Sequence, residues 1–234
     1  YTWRADGDSF FTRIRVALDY DVTEDQSGLK LEEETEMFIN LDGPLQSFFN
    51  GLFGKSKTYW NGQYFDEQFN QVVIGFAPTP SLRISTQIRY EDVVDFANTR
   101  LGHSKRYRPS IDYQLGQHVE FSLSHTLQKF DVAGGRLFTA NLSNLRTTYQ
   151  FNAKSFLRFT LQNSYNKRDQ GLYNNTVQSR SKSLTTQLLY SFRFTAATRF
   201  FIGYSDAAFQ DDSLNSVEPI NRTLFAKFSY AWQP

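Results

Sequence analysis

Residues 10–21 read Phe10-Phe-Thr-Arg-Ile-Arg-Val-Ala-Leu-Asp-Tyr-Asp21. Every second residue from Phe10 to Tyr20 is apolar or threonine, and most of the residues between them are charged. Because successive side chains of a β-strand point to opposite faces of the sheet, this stretch predicts a strand with one apolar face and one charged face.

The same alternation returns along the chain, in residues 82–91, 119–128, 157–162, 183–193 and 223–232. Short turn sequences separate the strands at residues 42–45, 78–81, 115–118, 151–154 and 194–197, and longer polar segments occupy residues 54–66, 93–105, 167–180 and 206–220. Outer-membrane barrels combine short periplasmic turns with longer extracellular loops. We therefore predict an all-β fold over residues 1–234, an antiparallel transmembrane β-barrel of the outer-membrane type with about 12 strands.

Two segments fit this pattern less well. Residues 47–60 contain several phenylalanines without clean alternation. Between Leu142 and Leu145 the apolar residues change parity, which predicts a β-bulge near Ser143 and Asn144.

Composition supports a membrane strand protein over other classes. The mean hydropathy is −0.51, yet 17% of the residues are aromatic, as expected for a barrel with a wet interior and an apolar exterior. Lys plus Arg (25) nearly equals Asp plus Glu (24), which argues against a nucleic-acid partner. With no cysteine, thiol chemistry and disulfides are excluded. These features predict the bacterial outer membrane as the location and the lipid bilayer as the partner.

Aromatic residues lie at the predicted strand ends, where the two interfacial girdles of a barrel would be. The predicted girdle residues are Tyr20, Tyr90, Tyr113, Tyr149, Tyr190, Phe192, Tyr230 and Trp232. The alternative is that these rings fill the core of a soluble β-sandwich.

The opposite parity of the strands carries the charged residues that we expect to face the lumen. They are Arg13, Arg15, Arg83, Arg89, Glu91, Arg108, Asp112, Glu120, Arg158, Arg193, Arg199 and Lys227. Rings of charge tune ion selectivity in a water-filled pore. The same residues could also hold a closed lumen together through salt-bridge ladders, and the sequence leaves both possibilities open.

No residue pattern points to catalysis, a cofactor or a metal. His103, His118 and His125 fall on different elements without the spacing of metal ligands. His125 and the neighbouring Ser124 face opposite sides of one strand, so they do not form a nucleophile–base pair. We therefore predict no catalytic residue, no cofactor and no metal.

The last twelve residues, Thr223-Leu-Phe-Ala-Lys-Phe-Ser-Tyr-Ala-Trp-Gln-Pro234, resemble the C-terminal strand that the outer-membrane assembly machinery recognises, which makes this machinery an expected partner. The resemblance is incomplete, because the segment ends in Gln233-Pro234 and not at the aromatic residue.

Several short stretches resemble a family of bacterial envelope proteins with an N-terminal domain similar to family 9 carbohydrate-binding modules and a C-terminal barrel of unassigned function. The matching stretches are Gly43-Pro44-Leu45-Gln46-Ser47, Trp60-Asn61-Gly62, Asp95-Phe96-Ala97-Asn98, Tyr149-Gln150-Phe151-Asn152, Phe156-Leu157-Arg158 with Gln162, and Gly203-Tyr204-Ser205-Asp206. The resemblance implies that a carbohydrate-binding domain and further strands precede this chain. It brings no catalytic residues.

These observations predict a non-enzymatic, porin- or transporter-like barrel that passes or helps to deliver a solute or a glycan, the glycan being implied by the resemblance alone. The alternatives are a membrane-embedded hydrolase with its active site in the outer loops, and a soluble β-sandwich carbohydrate-binding module. Because the chain begins with Tyr1 and carries no export signal, we expect it to be a fragment of a longer barrel.

Overall fold

A computed structural model of the protein describes residues 1–5, 9–195 and 197–230. In these ranges the chain forms thirteen strands and two short 3-10 helices. The strands are β1 (Thr2–Arg4), β2 (Arg13–Glu24), β3 (Lys30–Asp42), β4 (Phe48–Trp60), β5 (Gln63–Thr79), β6 (Leu82–Asp95), β7 (Arg100–Leu115), β8 (Val119–Val132), β9 (Gly135–Asn152), β10 (Ser155–Arg168), β11 (Arg180–Arg193), β12 (Thr198–Gln210) and β13 (Glu218–Tyr230). The 3-10 helices span Pro44–Gln46 and Gln170–Leu172.

The strands form one sheet in which each strand pairs with the next along the chain, from β1 to β13. Wherever the register is defined, the pairing is antiparallel. Strands β2 to β13 are 12 to 18 residues long, longer than the strands of most soluble sheets. This consecutive meander of long strands confirms the predicted all-β barrel fold and replaces the soluble sandwich alternative. None of the helices in the described residues is long and apolar enough to cross a membrane.

The chain divides into two compact units, which we describe separately. Unit 1 comprises residues 1–109, 127–139 and 168–177. Unit 2 comprises residues 110–126, 140–167 and 178–234.

The five short turns predicted from the sequence all connect consecutive strands. Three of the predicted long loops are much shorter in the structure. The β4–β5 connection is only Asn61-Gly62, the β6–β7 connection is residues 96–99, and the β12–β13 connection is residues 211–217. These three loop predictions were too long because backbone pairing continues through polar residues at the loop ends of the strands. No apolar face is required there, so the sequence shows no alternation. Only the predicted loop near 167–180 has close to its expected length, at residues 169–179.

Strand β4 forms without a clean alternation because glycine and phenylalanine complement each other across the sheet. Gly54 faces Phe69 of β5 in the register, and the Phe69 ring occupies the space that a side chain at position 54 would need. Gly75 and Phe48 are paired in the same way, with the ring 2.6 Å from an ideal Cβ. Covering a glycine with an aromatic ring stabilises a sheet position that glycine alone would weaken.

Register and alternation give the sheet two chemically different faces. On the apolar face of unit 1, Leu18 pairs with Met37 and Val72 pairs with Ile88. In unit 2, Leu224 on this face is 73% exposed. Exposed apolar side chains along one face of a sheet are stable when lipid covers them. Together with the barrel fold, this apolar face places the protein in the bacterial outer membrane.

Candidate functional site: the polar face and its anchored loop

The twelve charged residues predicted to face the lumen lie on the other face, which we call the polar face. Their positions follow from the registers of β2–β6 and β10–β13. On β7 and β8 they follow from alternation, because the Arg106–Glu91 and Gln128–Ser104 hydrogen bonds fix which parity lies on the polar face. Unit 1 carries Arg13, Arg15, Arg83, Arg89, Glu91 and Arg108, and unit 2 carries Asp112, Glu120, Arg158, Arg193, Arg199 and Lys227.

The polar face of unit 1 is organised around Arg89. Its Nε donates to the Glu91 carboxylate at 2.5 Å, and one Nη donates to the side-chain oxygen of Gln71 at 3.3 Å. The guanidinium carbon lies 5.6 Å from the centre of the Phe69 ring. Arg106 reaches the second oxygen of Glu91 at 3.4 Å. Because the Glu91 side chain is only 10% exposed, these two cations compensate a charge that is largely removed from water.

A second charged region of unit 1 has a single sign. The register places Asp19 opposite Glu36 and Asp21 opposite Glu34 on β2 and β3, with Glu32 one step further toward the loops. We call these five residues the acidic ladder. Like charges directly opposite each other in an antiparallel pair destabilise it. The ladder therefore lowers fold stability, unlike the Arg89 network, and gives this part of the polar face a negative potential.

The polar face of unit 1 also carries an apolar patch, built from Phe130, Val132 and Leu137. Phe130 and Val132 have the same parity on β8 as Gln128, whose side chain bonds Ser104 of β7. Leu172 and Tyr173 of loop 169–179 pack against this patch. The loop is thus folded onto the polar face and buries apolar surface there.

Hydrogen bonds hold this loop in position. Arg100 of β7 donates to the Asp95 carboxylate at 2.9 Å and to the backbone oxygen of Leu172 at 2.6 Å. The Asp169 amide donates to the Leu137 carbonyl at 3.1 Å, and the Asp169 carboxylate caps Gly171. Burial raises the pKa of Tyr173 above its ordinary value. These charge-assisted hydrogen bonds and the packed side chains together hold loop 169–179 in a defined position on the polar face.

The polar face of unit 2 is built mainly from hydroxyl and amide groups. Across β10 and β11, Thr160 pairs with Gln187, Gln162 pairs with Thr185, and Ser164 pairs with Ser183. The charged groups have weaker contacts here. Arg158 lies 5.0 Å from the Phe156 ring centre and 3.4 Å from the Thr148 hydroxyl, and Arg193 donates to the Ala153 carbonyl at 2.8 Å.

The three histidines make separate contacts. His103 bonds Asp92 at 2.6 Å, and His118 bonds the Gln150 carbonyl at 2.6 Å. His125 lies 2.8 Å from the hydroxyl of Ser143, a pairing that sequence spacing could not reveal because the residues belong to different strands. Within the described ranges, no carboxylate bonds the His125 ring to orient it as a base, as a hydrolytic triad requires. The same ranges contain no group of three or more His, Asp or Glu residues placed to hold a metal ion.

Five of the predicted girdle residues, Tyr20, Tyr90, Tyr113, Tyr149 and Tyr230, are 38–62% exposed. Tyr190 and Phe192 are partly buried and contact neighbouring rings, Phe151 at 6.3 Å and Phe194 at 4.8 Å between centroids. Trp232 lies outside the described residues.

Comparisons with known proteins agree with the barrel fold. The chain is similar to a loop-deletion variant of OmpT, an outer membrane protein of Vibrio cholerae, with a TM-score of 0.51 and 8% identity over 99% of this chain and 88% of that one. OmpT expressed in the outer membrane of the same organism gives a TM-score of 0.47 with 8% identity, covering 99% of this chain and 87% of that one. The NanC porin gives 0.35 with 10% identity, covering 93% and 99%. No protein-family model matches the sequence, and no curated protein does. Of these three, the loop-deletion variant of OmpT alone has a TM-score above 0.5, and at 8% identity its similarity shows the fold alone, that of an outer-membrane β-barrel.

Proposed function

We propose that the polar face lines a water-filled pore through which small hydrophilic solutes cross the outer membrane, without catalysis by the protein. The observation that carries this proposal is the charged and hydrogen-bonding surface along consecutive strands of both units, on the face opposite to the lipid-exposed residues. A surface that is polar along the length of the strands is favoured only where water or polar solutes contact it.

Loop 169–179 is the part of this pore that we expect to restrict passage. It is anchored on the polar face of unit 1 by Leu172, Tyr173 and the Arg100 bond. A side-chain plug attached to the wall narrows the opening, and the narrowest region controls conductance and selectivity.

The test is single-channel conductance of the refolded protein in a planar bilayer, after heat-modifiable migration on a gel shows that it is folded. We expect steady conductance steps. The double variant Leu172→Ser and Tyr173→Ser should release the loop and give larger, noisier steps. The control, Leu214→Ser in the 211–217 loop of unit 2, should behave like the original protein. Folded protein without conductance would contradict the pore.

Charge variants test which residues face the solute. Changing Glu34 and Glu36 together to Gln should lower the preference for cations, measured as a reversal potential in a salt gradient, whereas Arg83→Glu should raise it. Reversal potentials unaffected by either change would mean that these side chains do not face the conduction path.

Carbohydrates are the first solutes to test, because the family resemblance implies a carbohydrate-binding domain. The proposal predicts that liposomes containing the protein swell faster in isotonic monosaccharide than in trisaccharide, as expected for a restricted pore. Equal rates for both sugars would contradict a narrow constriction.

A further inference from the structure

The apolar face of unit 1 becomes polar near the loop ends of strands β3 to β6. The registers align Leu18, Met37, Phe53, Asn70 and Tyr90 in one row across β2 to β6. The next row toward the loops is polar, because Tyr20, Thr35, Lys55 and Gln68 are aligned there. Asp92 extends this row on β6, accepting a hydrogen bond from the backbone N–H of Gln68 at 3.2 Å.

Two neighbouring grooves open on this surface. One, of about 390 Å³, is lined by Leu18, Met37, Phe53, Lys55, Gln68 and Asn70. The other, of about 320 Å³, shares Gln68 and Asn70 and continues past Tyr90 to His103 and Lys105. Each groove therefore has apolar walls from the lipid-covered rows and a polar rim.

Glu36 and Glu91 also line these grooves, but the registers place their side chains on the polar face. The carboxylates on the groove side of the sheet have partners. Asp92 bonds His103 at 2.6 Å, and Asp131 is paired with Arg136. One row closer to the loops, Lys57 is 3.6 Å from Asp66. By contrast, neither Lys55 nor Lys105 belongs to an ion pair within residues 1–5, 9–195 and 197–230. The rim thus offers two ammonium groups and two side-chain amides, which are hydrogen-bond donors for an anion.

We propose that this surface binds an anionic, phosphate-bearing lipid of the outer leaflet. The phosphate lies at the rim between Lys55 and Lys105 with the amides of Gln68 and Asn70, and an acyl chain follows Leu18, Met37 and Phe53. The loop end of an outer-membrane strand faces the exterior, so the rim lies at the headgroup level of the outer leaflet. Basic residues at this level attract anionic lipids, and the apolar row below matches an acyl chain.

Native mass spectrometry of the detergent-solubilised protein tests the proposal with two probes, dioleoylphosphatidylglycerol and zwitterionic dioleoylphosphatidylcholine. We expect retention of the anionic lipid over the zwitterionic one. The double variant Lys55→Gln and Lys105→Gln should reduce the retained anionic lipid several-fold. The matched control is Lys182→Gln, an apolar-face lysine of unit 2 that should leave retention unchanged. Equal retention of both lipids, or equal losses in the double variant and the control, would overturn the proposal.

Amine acetylation of the unmodified protein provides a second measurement that does not depend on variants. In phosphatidylglycerol vesicles, Lys55 and Lys105 should be acetylated more slowly than in phosphatidylcholine vesicles, whereas Lys182 should react equally in both. Protection of the two lysines in lipid-free detergent, together with the mass of a dimer or trimer, would show that a second copy covers this face and would overturn the lipid proposal.

Discussion

The polar faces of the two units both carry polar side chains along their strands, but the chemical groups and their contacts differ. In unit 1, charges are concentrated: Arg89 and Arg106 enclose a nearly buried Glu91, and five carboxylates line β2 and β3. In unit 2, most pairs across β10 and β11 are hydroxyl or amide groups, and the arginines have weak or backbone contacts. The difference teaches that the polar side chains of one sheet can be held in close ion pairs in one region and make weaker or backbone contacts in another, so substitutions of the same kind should have different effects on stability.

The largest expected difference concerns the glycines under aromatic rings. Gly54→Val in unit 1 would place methyl groups where the Phe69 ring lies, and that ring is only 6% exposed. Because moving this buried ring would disturb the side chains packed around it, we expect a loss of about 3 kcal/mol in the free energy of unfolding. Gly203→Val in unit 2 meets Phe225 at 2.5 Å, but the Phe225 ring is partly exposed and can shift, so about 1 kcal/mol is expected.

Urea unfolding in lipid vesicles, followed by tryptophan fluorescence, measures both glycine variants. Thr186→Val, on the apolar face of β11, is the control and should change stability little. Equal losses for the two glycine variants would show that the Phe69 ring is no more constrained than Phe225.

The second comparison sets Arg89 against Arg158. Arg89→Met removes the closest cation from Glu91 and leaves Arg106, at 3.4 Å, as its partner. We expect a loss of about 2 kcal/mol, because a carboxylate that is largely removed from water loses its main compensation. Arg158→Met removes only a ring contact and a 3.4 Å bond, so the expected loss is below about 1 kcal/mol. The same unfolding assay compares the two, and a larger loss for Arg158 would show that its contacts stabilise the fold more than those of Arg89 do.

The sequence predicts the strands best where alternation is strict. β2 and β6 alternate apolar and charged residues over most of their length, so a period of two was enough to assign both the strand and its faces. β4 could not be assigned in this way, because Gly54 is accommodated in the strand by the ring of Phe69 on the next strand, and the sequence of β4 alone does not show this pairing. Phe10 to Thr12 were expected inside a strand, yet β2 begins at Arg13, since local alternation does not determine where pairing starts.

The anchored loop shows the same limit for the candidate site. Its length was predictable, but the packing of Leu172 against the apolar patch of Phe130, Val132 and Leu137 joins residues far apart in the sequence. One signal was available: Phe130 and Val132 continue the polar parity of Gln128 on β8, where apolar residues are unexpected unless something covers them. The His125–Ser143 pair had no such signal, because neither residue is unusual in its own strand.

The acidic ladder should respond in the opposite direction to the Arg89 network. Glu36→Gln removes a like-charge contact with Asp19, directly opposite in the register, and should raise the free energy of unfolding by about 0.5 kcal/mol. Glu120→Gln in unit 2 is the control with the same chemical change and should leave stability within experimental error. Destabilisation by Glu36→Gln would mean that this carboxylate is stabilised by a cation, and the ladder would then be part of a neutral network.

The smallest expected effects are local and pH-dependent, in the loops of each unit. Hydrogen bonds from the Ser179 hydroxyl at 2.7 Å and from the Ser179 and Arg180 amides hold the pKa of Asp212 below its ordinary value of 3.8. Hydrogen bonds from Ser27, and then from the Leu29 amide, lower the pKa of Asp25 in the β2–β3 turn. A lowered folded-state pKa stabilises the loop above the ordinary pKa, and this stabilisation disappears as the pH falls through the folded value.

Hydrogen–deuterium exchange of residues 179–180 should therefore be slower in the original protein than in Asp212→Ala from neutral pH down to about pH 4, because the carboxylate remains ionised there. The two proteins should converge only at more acidic pH. Asp25→Ala should change exchange near residues 27–29 in the same direction and leave residues 179–180 unaffected. If the Asp212 effect disappeared already near pH 5, the carboxylate would be protonated too easily for these bonds to be its main partners. The loop of unit 2 would then be held by weaker polar contacts than the turn of unit 1, as the charged groups on the polar face of unit 2 are compared with those of unit 1.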